Sequence, residues 1–242
     1  MQGSLRNYQH SLIRQLADCV EEAWRQHLDL SPYPMPNDLG YIEGSLEGER
    51  LTIENRCYQT PQFRKLHLEL AQMGNGLDIL HCVMFPNPEY ALPIFGADLV
   101  GGRSGISAAI ADLSPVNADR SLPAHYHQVL SALPELQFSQ PRVLPEWADI
   151  FSEFCLFVRP VGAAEEAAFL QRVREFLMLH CQIASTEVPL ASELEVASTI
   201  AGQQYYCTKQ QQNDKTRRVL EKSFGAEWTD RYMTTMLFDY VT

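Results

Sequence analysis

Four ionisable side chains stand inside segments that otherwise read as apolar β-strands. Lys65-Leu66-His67-Leu68-Glu69-Leu70 alternates with period two, so His67 and Glu69 share one face and Leu66, Leu68 and Leu70 the other. In Leu77-Asp78-Ile79-Leu80-His81-Cys82-Val83-Met84-Phe85, His81 shares its face with Ile79, Val83 and Phe85. Asp98 lies in the middle of the neutral run Ile94–Val100. An aspartate in such a strand faces desolvation, which disfavours the anion and raises the carboxyl pKa; a neighbouring imidazolium opposes the shift. An Asp–His pair in a sheet pocket can therefore exchange a proton near neutral pH, the requirement of general acid–base chemistry. Pattern alone leaves two other readings open. A core histidine can simply bond a backbone carbonyl, and His67-x-Glu69 with His81 has the composition of a two-histidine, one-carboxylate iron site. A zinc deaminase would need a following P-C-x-x-C, and none is present.

The elements that must position these groups follow from periodicity. Leu12, Leu16, Cys19, Val20, Ala23 and Trp24 recur at helical spacing within 11–28, and Ser31-Pro32-Tyr33-Pro34-Met35-Pro36 then forces an extended segment. From Tyr41 to Leu113 strands alternate with turns: a hairpin at Leu46-Glu47-Gly48-Glu49 with Leu51–Tyr58 as its second arm, a turn at Gly74-Asn75-Gly76, and runs Leu77–Phe85, Leu92–Val100 and Gly105–Leu113. Helices are expected over 119–133, 163–183, 192–224 and 227–240, with one more strand over Phe151–Arg159. Strands in the first half and helices at both ends describe an α+β fold, one antiparallel sheet with helices on its faces, in a single domain spanning 1–242.

The chain has 242 residues, 45% hydrophobic and 20% charged, enough to bury a sizeable core. Its net charge of −11 is the wrong sign for a generic binder of nucleic acid or of an anionic membrane. No run approaches the roughly 20 apolar residues that cross a bilayer, and no secretory apolar region stands at the N-terminus. The cysteines at 19, 57, 82, 155, 181 and 207 form no C-x-x-C pair, which suits buried thiols in a reducing cytoplasm. No G-x-G-x-x-G or P-loop occurs. One window runs against the overall charge: residues 209–222 hold Lys209, Lys215, Arg217, Arg218 and Lys222 against Asp214 and Glu221, a local +3.

Glu54-Asn55-Arg56-Cys57-Tyr58-Gln59-Thr60-Pro61-Gln62-Phe63-Arg64-Lys65 resembles the ferredoxin-dependent bilin reductases. So do His67–Leu70, Leu77–Pro86, Ala108–Pro115, Phe151–Pro160 and Asn213–Lys222. The resemblance runs from about Pro36 onward and is poorest around 134–140 and 184–202. It implies a three-layer α/β/α sandwich whose bilin lies between the central antiparallel sheet and the C-terminal helices. It implies four-electron reduction of biliverdin IXα to phycocyanobilin by single electrons from reduced ferredoxin, in a monomer of the cyanobacterial cytosol. No metal or flavin is bound in the family, so the substrate itself holds the radical, and the iron-site reading recedes. Residue by residue, Asp98 matches the aspartate that protonates the bilin. His81 matches the histidine that works with it and bonds the lactam, and His67 a histidine linked to His81 directly or through water. Glu69 matches a proton donor beside the D-ring vinyl group, which argues against a two-electron member; a pigment carrier would have no use for such a relay. Arg142 and Lys215 match basic residues near the propionates. Asn213 and Val219 match positions facing the bilin, and Ile79 is expected to line the same site. Reduced ferredoxin, itself acidic, is expected to dock on a basic rim formed by 209–222, with Arg142, Arg64 and Lys65 as additions.

Overall fold

The computed structural model describes residues 4–74 and 76–241. Helix α1 (Ser11–His27) buries the stripe Leu12, Leu16, Val20 and Trp24 and stops before the prolines. Within the expected extended segment, β1 (Ser31–Pro32) pairs with Tyr58 and Gln59. Next, β2 (Tyr41–Leu46) and β3 (Glu49–Gln59) form the expected hairpin, whose turn is made by Glu47 (φ 53°) and Gly48 (φ 85°). Positive φ at both central turn residues matches the twist of the flanking strands. Strands β4 (Phe63–Met73), β5 (Leu77–Pro86), β6 (Ile94–Gly102) and β7 (Gly105–Ser114) follow. The turn expected at 74–76 joins β4 to β5, with Asn75 outside the described residues. Helix α2 (Ala124–Ser131), β8 (Leu156–Val158), α3 (Gly162–Thr186), α4 (Glu193–Gln211), α5 (Asp214–Phe224) and α6 (Ala226–Tyr232) complete the order, and α6 passes into a π turn over Met233–Leu237.

The strands make one antiparallel sheet in the order β1-β3-β4-β5-β6-β7-β8, with β2 also on β3. Alternation assigns its two faces. Leu66, Leu68, Leu70, Leu80, Phe95 and Leu99 point to the layer formed by α1 and α3, and each fully buried leucine contributes about 1.5–3 kcal/mol. Ile53, Val83, Phe85 and Ile94 point the other way, against Tyr206 of α4, Leu220 of α5, Tyr232 of α6 and Met233, Met236 and Phe238 beyond it. Helices therefore cover both faces of the sheet, as expected.

Four element boundaries differ from the expectation. The helix expected over 119–133 begins only after Pro123, because proline cannot supply an interior N–H. The strand expected over Phe151–Arg159 is regular for three residues, at the sheet edge. The helix expected over 192–224 is two helices: Asn213 breaks it, and its side chain accepts from Lys215 N at 3.2 Å to cap α5. The last helix leaves α geometry at Met233 and unwinds at Phe238. None of the described helices is long and apolar enough to cross a membrane.

Candidate active site

Register places the ionisable groups side by side. Glu69 is opposite His81, and His81 is opposite Asp98, so the three form one row across β4, β5 and β6 on the face toward α4–α6. Asn55 of β3 extends the row beyond Glu69, and Ile110 of β7 extends it beyond Asp98. His67 lies in the adjacent row. Exposure rises along the cluster. His67 is fully buried and Glu69 nearly so, the His81 side chain is 12% exposed, and the Asp98 side chain is 42% exposed. Half-buried Ile79, Gly96, Val100, Ala108 and Ile110 surround Asp98 as an apolar floor. Asp98 is therefore the open end of the cluster. The full desolvation expected for a mid-strand aspartate does not occur, because its face of β6 is left half-exposed.

The imidazole Nδ1–H of His81 donates to Asp98 Oδ1 at 2.6 Å. Burial alone would push the His81 pKa down, but the charge of Asp98, its hydrogen bond and the charge of Glu69 outweigh that and hold it above the ordinary value. Glu69 goes up: burial disfavours its anion more than the His81 charge and the Tyr232 hydrogen bond favour it. His67 falls well below the ordinary value through burial and the positive charges of Lys65 and His81. Neighbouring groups are thus driven in different directions, as acid–base work requires.

The ring of His67 stands edge-on to that of His81, with centroids 6.0 Å apart and no direct bond between them. Each keeps one buried ring nitrogen without a partner, Nδ1 on His67 and Nε2 on His81. Phe238 closes the other side of His81, edge-on at 5.6 Å. The segment bearing Phe238 is clamped: Lys65, 0% exposed, pairs with Asp239 and donates to Met236 O at 2.8 Å, and Arg64 donates to Asp239 O at 3.0 Å. Among the described residues, no three histidine, cysteine or acidic side chains are grouped to hold a metal ion.

A scan against family models matches residues 17–239 to "Ferredoxin-dependent bilin reductase". The chain belongs to the ferredoxin-dependent bilin reductase family. It is 58% identical over 231 residues to the phycocyanobilin:ferredoxin oxidoreductase of Trichodesmium erythraeum, covering 96% of this chain and 94% of the relative. It is 59% identical over 239 residues to that of Synechococcus elongatus, covering 98% and 96%. Among solved structures, tomato phytochromobilin synthase in complex with biliverdin superposes with a TM-score of 0.76 at 18% identity, covering 95% of this chain and 83% of that one, a likeness of fold.

The other residues expected at the site lie outside the ionisable row. Ile79 is on the His81 face, opposite Val100. Val219 is half-buried on α5, Asn213 caps that helix, and Lys215 is exposed on its first turn. Arg142 is exposed before β8, its guanidinium 5.7 Å from the Phe157 ring. None of these polar groups is bonded to the Asp98 cluster.

The basic rim is corrected by its partners. Lys209 pairs with Asp149 at 3.4 Å, Lys222 with Glu47 at 3.3 Å and Arg217 with Asp230. Three acids from outside the 209–222 window thereby face its cations, one of them, Asp149, shared with Arg120. Arg64 and Lys65 turn inward on Asp239 and are not part of any rim. Lys215, Arg142 and Arg159 have no carboxylate partner among the described residues, and Pro141 bridges Val158, which brings the two arginines to one edge.

Sequence reasoning missed Asn55, Tyr232, Phe238 and Asp239. Asn55 had a visible signal, a polar residue within the strand pattern Leu51–Tyr58. The other three lie in a helical pattern that says nothing of strands more than 150 residues earlier.

Proposed function

We propose that this reductase converts biliverdin IXα to phycocyanobilin, taking four electrons singly from reduced ferredoxin and using no resident metal or flavin. The observation that carries the reading is the row Glu69–His81–Asp98, three titratable groups in register on the sheet face under α4–α6. The printed names of the cyanobacterial relatives support the product. Each electron added to a conjugated tetrapyrrole makes it more basic, so each reduction is completed by a proton already in place. Asp98, the exposed end of the cluster, meets the pyrrole or lactam groups and protonates them. His81 bonds the lactam and, with its pKa raised, keeps its proton to higher pH than free imidazole. Glu69 serves the D-ring vinyl group, because burial keeps it a neutral acid over a wider pH range than an exposed carboxyl. His67, held neutral, completes the network with His81. Arg142 and Lys215 take the propionates, while Asn213, Val219 and Ile79 line the pigment. Packing against the apolar floor excludes water from the radical intermediates.

The assignment is tested by mixing the protein with biliverdin and a ferredoxin-reducing system and following absorption, then chromatographing the product. Bleaching of biliverdin with phycocyanobilin as product is expected. A stable biliverdin complex that never bleaches would falsify it in favour of a carrier. Glu69→Gln is expected to stop vinyl reduction and leave the A-ring step, so a two-electron-reduced bilin accumulates; unchanged phycocyanobilin removes Glu69 from its role.

Ferredoxin docks, in this reading, on a monomer at the edge where Arg142 and the unpaired Arg159 stand together, a smaller cationic surface than the whole 209–222 window. Steering by so few exposed charges is screened beyond about 8 Å at 0.15 M salt. The apparent KM for ferredoxin should therefore rise several-fold between low and physiological salt, with kcat at saturating ferredoxin little changed. A salt-independent KM would count against this edge.

A further inference from the structure

The Glu69 carboxyl has a single hydrogen-bond partner among the described residues, the hydroxyl of Tyr232, which donates to Oε2 at 2.5 Å. The same hydroxyl lies 2.9 Å from Asn55 Oδ1. Asn55 cannot turn its amide round, because its Nδ2 donates to Leu39 O at 2.7 Å. Its Oδ1, an acceptor only, therefore faces both Tyr232 and His67 Nε2, the latter at 2.8 Å. Two consequences follow from proton counting. His67 Nε2 must carry a hydrogen, so the neutral ring has its lone pair on Nδ1, the buried nitrogen with no partner. Tyr232 has one proton and two acceptors in reach. When Glu69 is ionised, that proton points to the carboxylate. When Glu69 is protonated, its own O–H donates to the Tyr232 oxygen, and the tyrosine proton turns to Asn55 Oδ1. Both states leave every donor paired.

We propose that Asn55 and Tyr232 are a positioning pair for the reaction: the fixed amide orients a two-way hydroxyl that holds Glu69 in both its protonation states and sets how readily it releases a proton. The inference rests on Glu69 as vinyl proton donor, and it adds the residues that govern that donor. The pair is rigid. Tyr232 is fully buried and stacks on Trp228 at 4.8 Å, which packs on Phe224 at 4.2 Å. Phe224 in turn occupies the space over Gly44, where a Cβ would come within 2.3 Å of its ring. The charged or titratable groups around Glu69 are His67 on its own strand, Cys57 on β3, His81 on β5, Asp98 on β6 and Tyr232 on α6. Of these, only Tyr232 is hydrogen-bonded to its carboxyl among the described residues.

The pair predicts opposite effects from its two halves. Tyr232→Phe removes the bond that stabilises the carboxylate, so Glu69 should titrate about one to two pH units higher, since a hydrogen bond to a charged group is worth that much. Asn55→Leu removes the acceptor that receives the tyrosine proton when Glu69 is neutral, so Glu69 should titrate lower. The measurement is the protonated-carboxyl infrared band of ligand-free protein against pH, assigned by its loss in Glu69→Gln. A merely structural role would loosen the site in both variants and move both titrations the same way. Shifts of one sign, or none in Tyr232→Phe, overturn the inference. Should Asn55→Leu fail to fold, the upward shift in Tyr232→Phe decides the matter alone. In turnover, Tyr232→Phe should raise the share of two-electron-reduced bilin several-fold, less than Glu69→Gln does. If Glu69→Gln still makes phycocyanobilin while the titrations shift as stated, the role of Glu69 fails and the pairing stands.

Discussion

Asp98→Asn is expected to bind biliverdin nearly as well as the unaltered protein and to lose about 100- to 10,000-fold in turnover, the range for removal of a general acid–base group. Asparagine has the same shape, and its Oδ1 can still accept from His81 Nδ1–H, which Asp98 now does at 2.6 Å. The apolar floor of Ile79, Val100 and Ile110 is unaltered. What is lost is a carboxylate that can take up and pass on a proton at the exposed end of the pair, and with it the negative charge that holds the His81 pKa up. Electron delivery is untouched, so a one-electron-reduced pigment should form and persist. Anaerobic single-turnover absorption and electron paramagnetic resonance would show a long-lived radical, and the His81 ring resonances should titrate at lower pH. Full turnover by this variant would remove Asp98 from the chemistry.

The second large effect is on stability. Asp239→Asn keeps an amide oxygen that can accept from Lys65, beside Met236 O, but removes the counter-charge of an ammonium that is 0% exposed. Burial already pushes the Lys65 pKa down, opposed chiefly by the charge of Asp239. Breaking one side of a buried ion pair costs about 3–5 kcal/mol, read as a lower urea midpoint. Lys65→Met with Asp239→Asn should recover most of the loss, since an apolar side chain of similar length can occupy the slot between Phe85 and Tyr33 that the lysine now crosses. A midpoint unchanged in the single variant, or a double variant less stable than the single one, would contradict the clamp. Arg64 keeps its bond to Gln203 Oε1 at 3.1 Å in either case, so the start of β4 itself stays anchored.

The strands and the ionisable row were legible in the sequence because both depend on a local rule. Alternation with period two assigns a face to each residue, and His67, Glu69, His81 and Asp98 stood out as charges where that rule expects apolar side chains. Which strand lies opposite which was given by short turns, and so the row could be approached by pattern. The other half of the site could not. Tyr232 reaches Glu69 across 163 positions and Asn55 across 177, and helical periodicity in its own segment marks it only as buried. The basic window misled for the same reason. Lys222 pairs with Glu47, 175 positions away, so a sum over neighbours in sequence is not a sum over neighbours in space. Asn213 was misplaced inside a continuous helix because the apolar spacing on either side continues through it, whereas its own capping oxygen decides the break.

The C-terminal clamp also dictates a timetable. Strands β3 to β6 are synthesised within the first 102 residues, yet Tyr232, Phe238 and Asp239 arrive only after α3, α4 and α5 have been made. A nascent chain halted before them can pair its strands, but Lys65 has no counter-ion and Glu69 no hydroxyl, and one face of the sheet stands open to water. Contacts that span so much of the chain also fold slowly, because the loop must close before they reward it. A chain interrupted before Asp239 thus carries the ionisable row with neither its clamp nor its covering segment.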